Sequence, residues 1–258
     1  MIDIEKAKKA FDKYVNTYDT NNVKIRLKIT HTYNTINAAN YITEKLGLDK
    51  ENRDLAELIA LLHDIGRFEQ LKIYDSYEDF NTVDHADFGL KVLEEGNLLR
   101  EFIEEETYDN IIKTAIKYHN KFKVPEDLDE LSMLHTKIIR DADKLDNFNV
   151  KQTETTEALY GVSKEEFEQE AMSPIIYETY LSKQLINSKE RVTNIDAWVG
   201  FFAFIFDFNF PVALEYIKEK NYINIIMDRF EYKNEDTNNK MKQIKKVATE
   251  YIEEKTKM

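Results

Sequence analysis

The chain has 258 residues, of which 42% are hydrophobic, 12% aromatic and 33% charged; this is enough apolar material for a large core, and it excludes collagen-like, disulfide-scaffold and disordered classes. Forty-nine acidic against 36 basic side chains leave a formal charge of −13, which argues against broad binding to nucleic-acid backbones or anionic membranes but allows a local cationic pocket. Cysteine is absent, so disulfides, thiolate metal sites and cysteine nucleophiles drop out together, any metal must be held by His, Asp or Glu, and a reducing cytoplasm is the expected location.

Only six Gly and three Pro occur, too few for the frequent turns of a strand-rich fold, so long helices are expected. The first ten residues carry Asp3, Glu5, Lys6, Lys8 and Lys9 and contain no apolar segment of the signal-peptide kind. Helical periodicity starts at once, with Ile4, Ala7, Phe11, Tyr14, Val15 and Tyr18 on one stripe, and Asn21–Asn22 interrupts it. Residues 23–46 read as a long helix closed by Gly47, and 50–62 as a second, ending at His63-Asp64-Ile65-Gly66 with Gly66 as its stop. The aromatic, acidic and aperiodic stretch 70–81 reads as a covering loop. Thr82 or Asp84 can cap the next helix, which stops at Gly96-Asn97; helices over 110–120 and 132–150 follow, with Pro125 between them. Beyond these come 164–170, a pair around 175–188, the aromatic segment 196–207, 212–220 and a charged terminal helix near 239–255. The longest apolar run, Ala197–Phe206, is about half of what a bilayer span needs and reads as buried core. No repeat or linker appears, so 1–258 reads as a single all-α domain, a bundle with C-terminal helices packed on it.

Within or at the ends of these helices stand His31, His63-Asp64, His85, His119 and Asp143, separated by about one helix plus loop each, so successive helices can present one ligand apiece at a common level. Imidazole and carboxylate suit Fe, Mn, Co, Ni or Zn, and six ligands with one shared carboxylate suffice for two ions. The apolar stripe of 132–149, through Leu134, Ile138, Ala142 and Leu145, places Asp141 rather than Asp143 at its side, so periodicity leaves that last ligand open.

The strings HTYN (31–34), LLHDIGRF (61–68), VDHADFG (83–89), AIKYHN (115–120) and RDADKLDN (140–147) together resemble the HD-domain superfamily of metal-dependent phosphohydrolases in its six-ligand form. The resemblance covers about residues 20–150 as the metal-binding core and leaves 151–258 as a C-terminal helical extension. It implies two divalent transition-metal ions, one on His31, His63, Asp64 and Asp143 and one on Asp64, His85 and His119, with Asp64 bridging, and it selects Asp143 over Asp141. Hydrolysis of a phosphate ester by an activated water is the implied reaction, on a small phosphorylated substrate, most naturally a nucleotide. Asp64, Arg67 and Asp84 are then the expected catalytic residues, and Arg67, Lys144 and Asn147 the expected substrate contacts. Arg67 is read either as a phosphate ligand or as a cation at a helix C-terminus. Asp146 and Asp84 are read as carboxylates that orient ligands or shuttle protons.

Other readings are weighed beside this one. Members of the same superfamily with this ligand pattern include mixed-valent di-iron oxygenases, and a third reading is a nucleotide-sensing module without turnover, which has no need of all six ligands. His135 belongs to none of the strings and reads as structural or exposed. The acidic run 101–106 reads as a solvated face, the aromatic run 198–210 as core, and the segment NKFKVP after His119 lacks the glycine-tyrosine-proline mark of cyclic-di-guanylate enzymes.

Overall fold

The computed structural model describes residues 2–257, which are helical with no strand among them. They group into two compact units, divided along the chain between Asp146 and Asn147. None of the helices is long and apolar enough to cross a membrane.

The first unit contains α1 (Ile4–Val15), α2 (Val23–Lys45), α3 (Lys50–Leu62), α4 (Gly66–Tyr74), α5 (His85–Glu94), α6 (Leu99–Phe102), α7 (Asp109–Tyr118) and most of α8 (Glu130–Thr153). Short polar side chains start several of these helices where free backbone N–H groups need acceptors. Asp3 accepts from Lys6 N, Asn22 from Lys24 N, Asp49 from Asn52 N, and Asp84 from Ala86 and Asp87 N. Gly47 closes α2 at φ +67°, and Gly96-Asn97 stops α5 with φ of +57° and +58°. α3 is buried along its second half, from Leu55 through Leu62 apart from Glu57, and so forms the unit's central element. The acidic run 101–106 has exposed carboxylates around a buried Phe102 and Ile103, as its sequence implied.

Two expectations change here. The stretch from Gln70 is not loop as far as Asn81, because α4 runs to Tyr74 before Asp75 turns left-handed. The apolar period is hidden because Gln70 is a buried polar side chain that bonds to Asp79, Thr82 and Val83. Nor does Gly66 stop a helix; it opens α4. A Cβ at Gly66 would lie 2.5 Å from Gly89 N and 2.8 Å from His85 O, so glycine here allows the backbones of α4 and α5 to touch. Gly89, one turn after His85, faces α4 in return, with Gly66 N 3.5 Å from where its own Cβ would stand.

The second unit continues α8 and adds α9 (Thr156–Tyr160), α10 (Lys164–Gln169), α11 (Pro174–Leu181), α12 (Asn194–Phe202), α13 (Pro211–Glu219), α14 (Tyr222–Met227) and α15 (Glu235–Lys255). Capping boxes at Ser163/Glu166 and Thr193/Asp196 start α10 and α12, and prolines stand at the starts of α11 and α13. Only one α-helix lies in 175–188, and the aromatic segment is α12 followed by a 3-10 turn over Ala203–Asp207. Trp198, Phe201, Phe202 and Ile205 are buried, as expected of core, with Phe167 and Phe230 packed edge-on against the indole.

Candidate metal centre

His63 and His119 occupy equivalent places, each the residue that ends a helix, α3 and α7 respectively. The last carbonyls of a helix lack intrahelical partners, and each imidazole turns back to donate Nδ1–H to the carbonyl three residues earlier. His63 bonds Ala60 O at 2.8 Å and His119 bonds Ile116 O at 2.7 Å. His85 opens α5, and its Nδ1 lies 2.5 Å from Asp79 Oδ2; His31, inside α2, has Nδ1 2.7 Å from Asp146 Oδ2. All four imidazoles are therefore anchored through Nδ1, which sets the tautomer and leaves the Nε2 lone pairs to face one another.

These lone pairs converge in two pairs. His31 and His63 have Nε2 atoms 3.3 Å apart, and His85 and His119 have theirs 3.0 Å apart. Asp64 lies between the pairs. Its Oδ2 is 3.5 Å from His31 Nε2 and 3.7 Å from His63 Nε2, while Oδ1 is 3.4 Å from His85 Nε2 and 3.9 Å from His119 Nε2. Asp143 Oδ1 is 3.2 Å from His31 Nε2. The triads His31/His63/Asp64 and Asp64/His85/His119 each present ligand atoms within 4.8 Å of one another, and each could hold a metal ion. Facing nitrogen lone pairs at about 3 Å repel unless a proton or a cation lies between them, so a donor set of buried, Nδ1-anchored imidazoles around carboxylates fits divalent metal.

The electrostatics agree with that fit. Burial presses on Asp64, but Lys28, the surrounding imidazoles and Arg67 outweigh it and hold the carboxyl well below the usual range. Asp143 is held down in the same way by His31, His63 and His119 against its burial. Burial and the neighbouring imidazoles lower His119 to about 3, and burial lowers His63, so both are neutral ligands. His31 is the exception: burial and Lys28 press it down, yet Asp143 and Asp146 raise it to about 9, so a cation must displace its proton to bind.

The other expected site residues are placed as follows. Arg67 lies in the first turn of α4, which removes the reading as a cation at a helix C-terminus, since Gly66 begins that helix rather than ending the one before. Its Nη1 donates to Gln70 Oε1, Tyr77 O and Asp79 Oδ1, while Nε, buried and without a hydrogen-bond partner, lies 3.6 Å from Asp64 Oδ1. Asp84 caps α5 and pairs with Lys121 at 2.6 Å; it reaches His85 only through Asn120, whose amide lies 3.3 Å from His85 Nδ1. Lys144 is buried in α8 about 100° around the helix from Asp143. Asn147, one turn beyond Asp143, is half-buried. Arg140 donates to the carbonyls of Tyr118, His119 and Lys121 and so fixes the end of α7. His135 is buried rather than exposed, with Nε2 3.1 Å from Asn52 Oδ1.

Three residues at the centre carry no mark in the motif strings. Lys28 Nζ lies 2.6 Å from Asp64 Oδ2, and its position one turn before His31 in α2 was the available signal. Asp79 orients His85 and holds Arg67 from inside the aperiodic stretch, where nothing local distinguishes it. Tyr77, noticed only as an aromatic, lies under Lys28 at 5.6 Å and Arg67 at 5.8 Å from its ring centre and donates its hydroxyl to Lys24 O.

Comparison with known families gives one match, the HD domain, over residues 29–147. No curated protein and no solved structure matches the chain. The matched span contains every one of the six converging side chains, and with the all-α fold around them residues 29–147 belong to the HD-domain superfamily of metal-dependent phosphohydrolases.

Proposed function

We propose that the chain is a phosphohydrolase that cleaves a phosphate ester, with Asp64 shared between two divalent transition-metal ions. The observation that carries this reading is the division of labour at Asp64: one carboxylate oxygen faces His31 and His63, the other His85 and His119. Asp143 adds a second carboxylate on the His31 side. Ions held there would supply an activated water and neutralise charge on the phosphoryl group.

The chain's own contribution is to place and charge the site. Four neutral imidazoles and two carboxylates against two divalent ions leave a formal surplus of about two positive charges, and Lys28 and Arg67 add to it, so an anionic substrate is drawn in despite the acidic surface. Arg67 has spent Nη1 on the 77–79 segment and retains Nε–H on the Asp64 side as a donor for a phosphoryl oxygen. Lys144 and Asn147, on either side of Asp146 in α8, are the further substrate contacts, and the substrate is a nucleotide or another small phosphorylated metabolite. Asp84 acts through Asn120 and His85.

The test is metal analysis of reconstituted protein, followed by a screen of phosphomonoesters, phosphodiesters and nucleotides with oxygen uptake recorded in parallel. Two ions per chain and anaerobic phosphate release are expected, with a ten- to hundredfold loss of kcat/KM in Arg67→Met, the effect of losing a charge-assisted contact of about 1.5–3 kcal/mol. Oxygen-dependent turnover with a mixed-valent signal and no phosphate release would replace this reading with the di-iron oxygenase.

A further inference from the structure

The second unit gathers three cations around one phenol. Lys151 Nζ lies 3.4 Å from Tyr160 Oη and 4.8 Å from the centre of its ring. Arg229 donates Nη1 to Lys151 O and Nη2 to Glu154 O, which places its guanidinium at the carboxyl end of α8. Arg191 donates Nη2 to Ile186 O and lies face-on against Gly200, where a Cβ would come within 2.5 Å of Nε, 2.7 Å of Cζ and 3.0 Å of Nη2. With its plane stacked on that glycine, the guanidinium points its N–H edge sideways, and Nε is buried with no acceptor.

Among the described residues none of the three makes an ion pair. The two carboxylates whose fields reach the cluster are Glu154 and Glu170. Glu170 is occupied by the backbone N–H groups of Asn194 and Ile195 and by the Asn194 amide. The charges press on one another: burial, Arg191 and Arg229 push the Lys151 ammonium down to about 8, and burial lowers both guanidiniums. Capping accounts for Arg229, which faces the roughly half negative charge of a helix end. Lys151 stands in the same last turn of α8, but the unspent N–H edge of Arg191 has no such account. With Glu154 and the helix end counted against the three cations, about one and a half positive charges remain in a half-buried place, in a chain with 13 more acidic than basic side chains.

We infer that Lys151, Arg191 and Arg229, with the hydroxyl of Tyr160, form a second anion site that binds a phosphate-bearing small molecule. A phosphate group carries about −1.5 to −2 at neutral pH and offers three acceptor oxygens, which suits this charge and these donors better than the single charge and two oxygens of a carboxylate. The inference stands on the second unit alone and does not depend on the chemistry of the metal centre.

Trp198, the only tryptophan in the chain, has its ring 6.5 Å from that of Tyr160 and reports from inside this unit. The experiment titrates the full-length protein with inorganic phosphate at constant ionic strength and pH 7.5 while Trp198 fluorescence is read. A saturable change is expected, unaltered in Arg67→Met and at least tenfold weaker in Lys151→Met and Arg191→Met, with helicity unchanged by circular dichroism. Gly200→Ala, which leaves every cation in place but displaces the Arg191 guanidinium, should weaken phosphate to the same extent and serves if a charge variant fails to fold. A linear response shared with chloride, or equal affinity in wild type, Lys151→Met and Gly200→Ala, would overturn the site. Saturation by citrate or acetate but not by phosphate would overturn its assignment to phosphate.

Discussion

Replacing Gly66 by alanine should damage the metal centre without touching a ligand. The added Cβ would meet three backbone atoms of α5, at 2.5 Å from Gly89 N, 2.7 Å from Gly89 Cα and 2.8 Å from His85 O. An ordinary contact begins near 3.4 Å, so α4 and α5 must separate by about 0.9 Å. Backbone cannot rotate aside as a long side chain can, and overpacking of this kind costs about 1–3 kcal/mol. Alanine recovers about 1 kcal/mol of helix propensity, so the net loss is up to about 2 kcal/mol, or up to about 4–8 °C in Tm for a chain of this size. The larger effect falls on geometry. His85 opens α5, whereas Asp64 lies two residues before Gly66, so the separation acts directly on the 3.4 Å approach of His85 Nε2 to Asp64 Oδ1. Coordination distances tolerate about 0.2 Å, so the His85/His119 side should lose its ion while the His31/His63 side keeps one. Gly89→Ala is the control: its Cβ would find Gly66 N at 3.5 Å and Ile65 Cγ2 at 3.7 Å, both ordinary contacts, so it should stabilise by about 0.5–1 kcal/mol and leave metal content intact. Thermal denaturation and metal analysis of both variants decide the matter. If Gly66→Ala matched wild type in Tm and metal content, the backbone contact would not be what sets α5 against Asp64.

Asp79→Asn removes the anionic partner of His85 Nδ1 and an anchor of Arg67, and metal titration should show affinity on the His85/His119 side reduced about ten- to a hundredfold. His135→Gln should leave metal content and activity nearly intact, whereas His119→Gln should lose the ion on its side; a folded but metal-free His135 variant would redraw the ligand set. Burial lowers the His135 imidazole to about 4 against 6.5 in the unfolded chain, so the unfolded state takes up the proton first and up to about 3 kcal/mol of stability is lost as pH falls from 6.5 to 4. Urea unfolding across that range should show a flatter slope in His135→Gln. Lys151 has the same sign on the alkaline side: with its folded value near 8 against 10.5, stability is depressed below pH 8 and recovers toward 10.5, so Lys151→Met should raise Tm at pH 7 by removing up to about 3 kcal/mol of penalty.

The helices themselves, and which of their residues are core, were determined by local sequence. Caps at Asp3, Asn22, Asp49 and Asp84, the apolar periods of α1, α3 and α7, and the scarcity of glycine and proline act within a turn or two of the chain, so they can be read without knowing what packs where. His31, His63, Asp64, His85 and His119 stood out because a shared ligand set demands residue types at helix-length spacing, while Asp143 was selected only by the family resemblance. What tertiary structure decided is everything that depends on a partner distant in sequence. Periodicity alone pointed to Asp141 and the family resemblance to Asp143, and it is the meeting of α8 with α2 that brings Asp143 to His31. Gly66 looks like a helix stop until α5 crosses it, and Gln70 looks like loop because its partners, Asp79, Thr82 and Val83, make a polar residue at home in a buried position. Asp79 and Lys28 acquire their roles through His85 and Asp64, six and 36 residues away, and beyond the place of Lys28 one turn before His31 such electrostatic coupling leaves no mark in the local pattern.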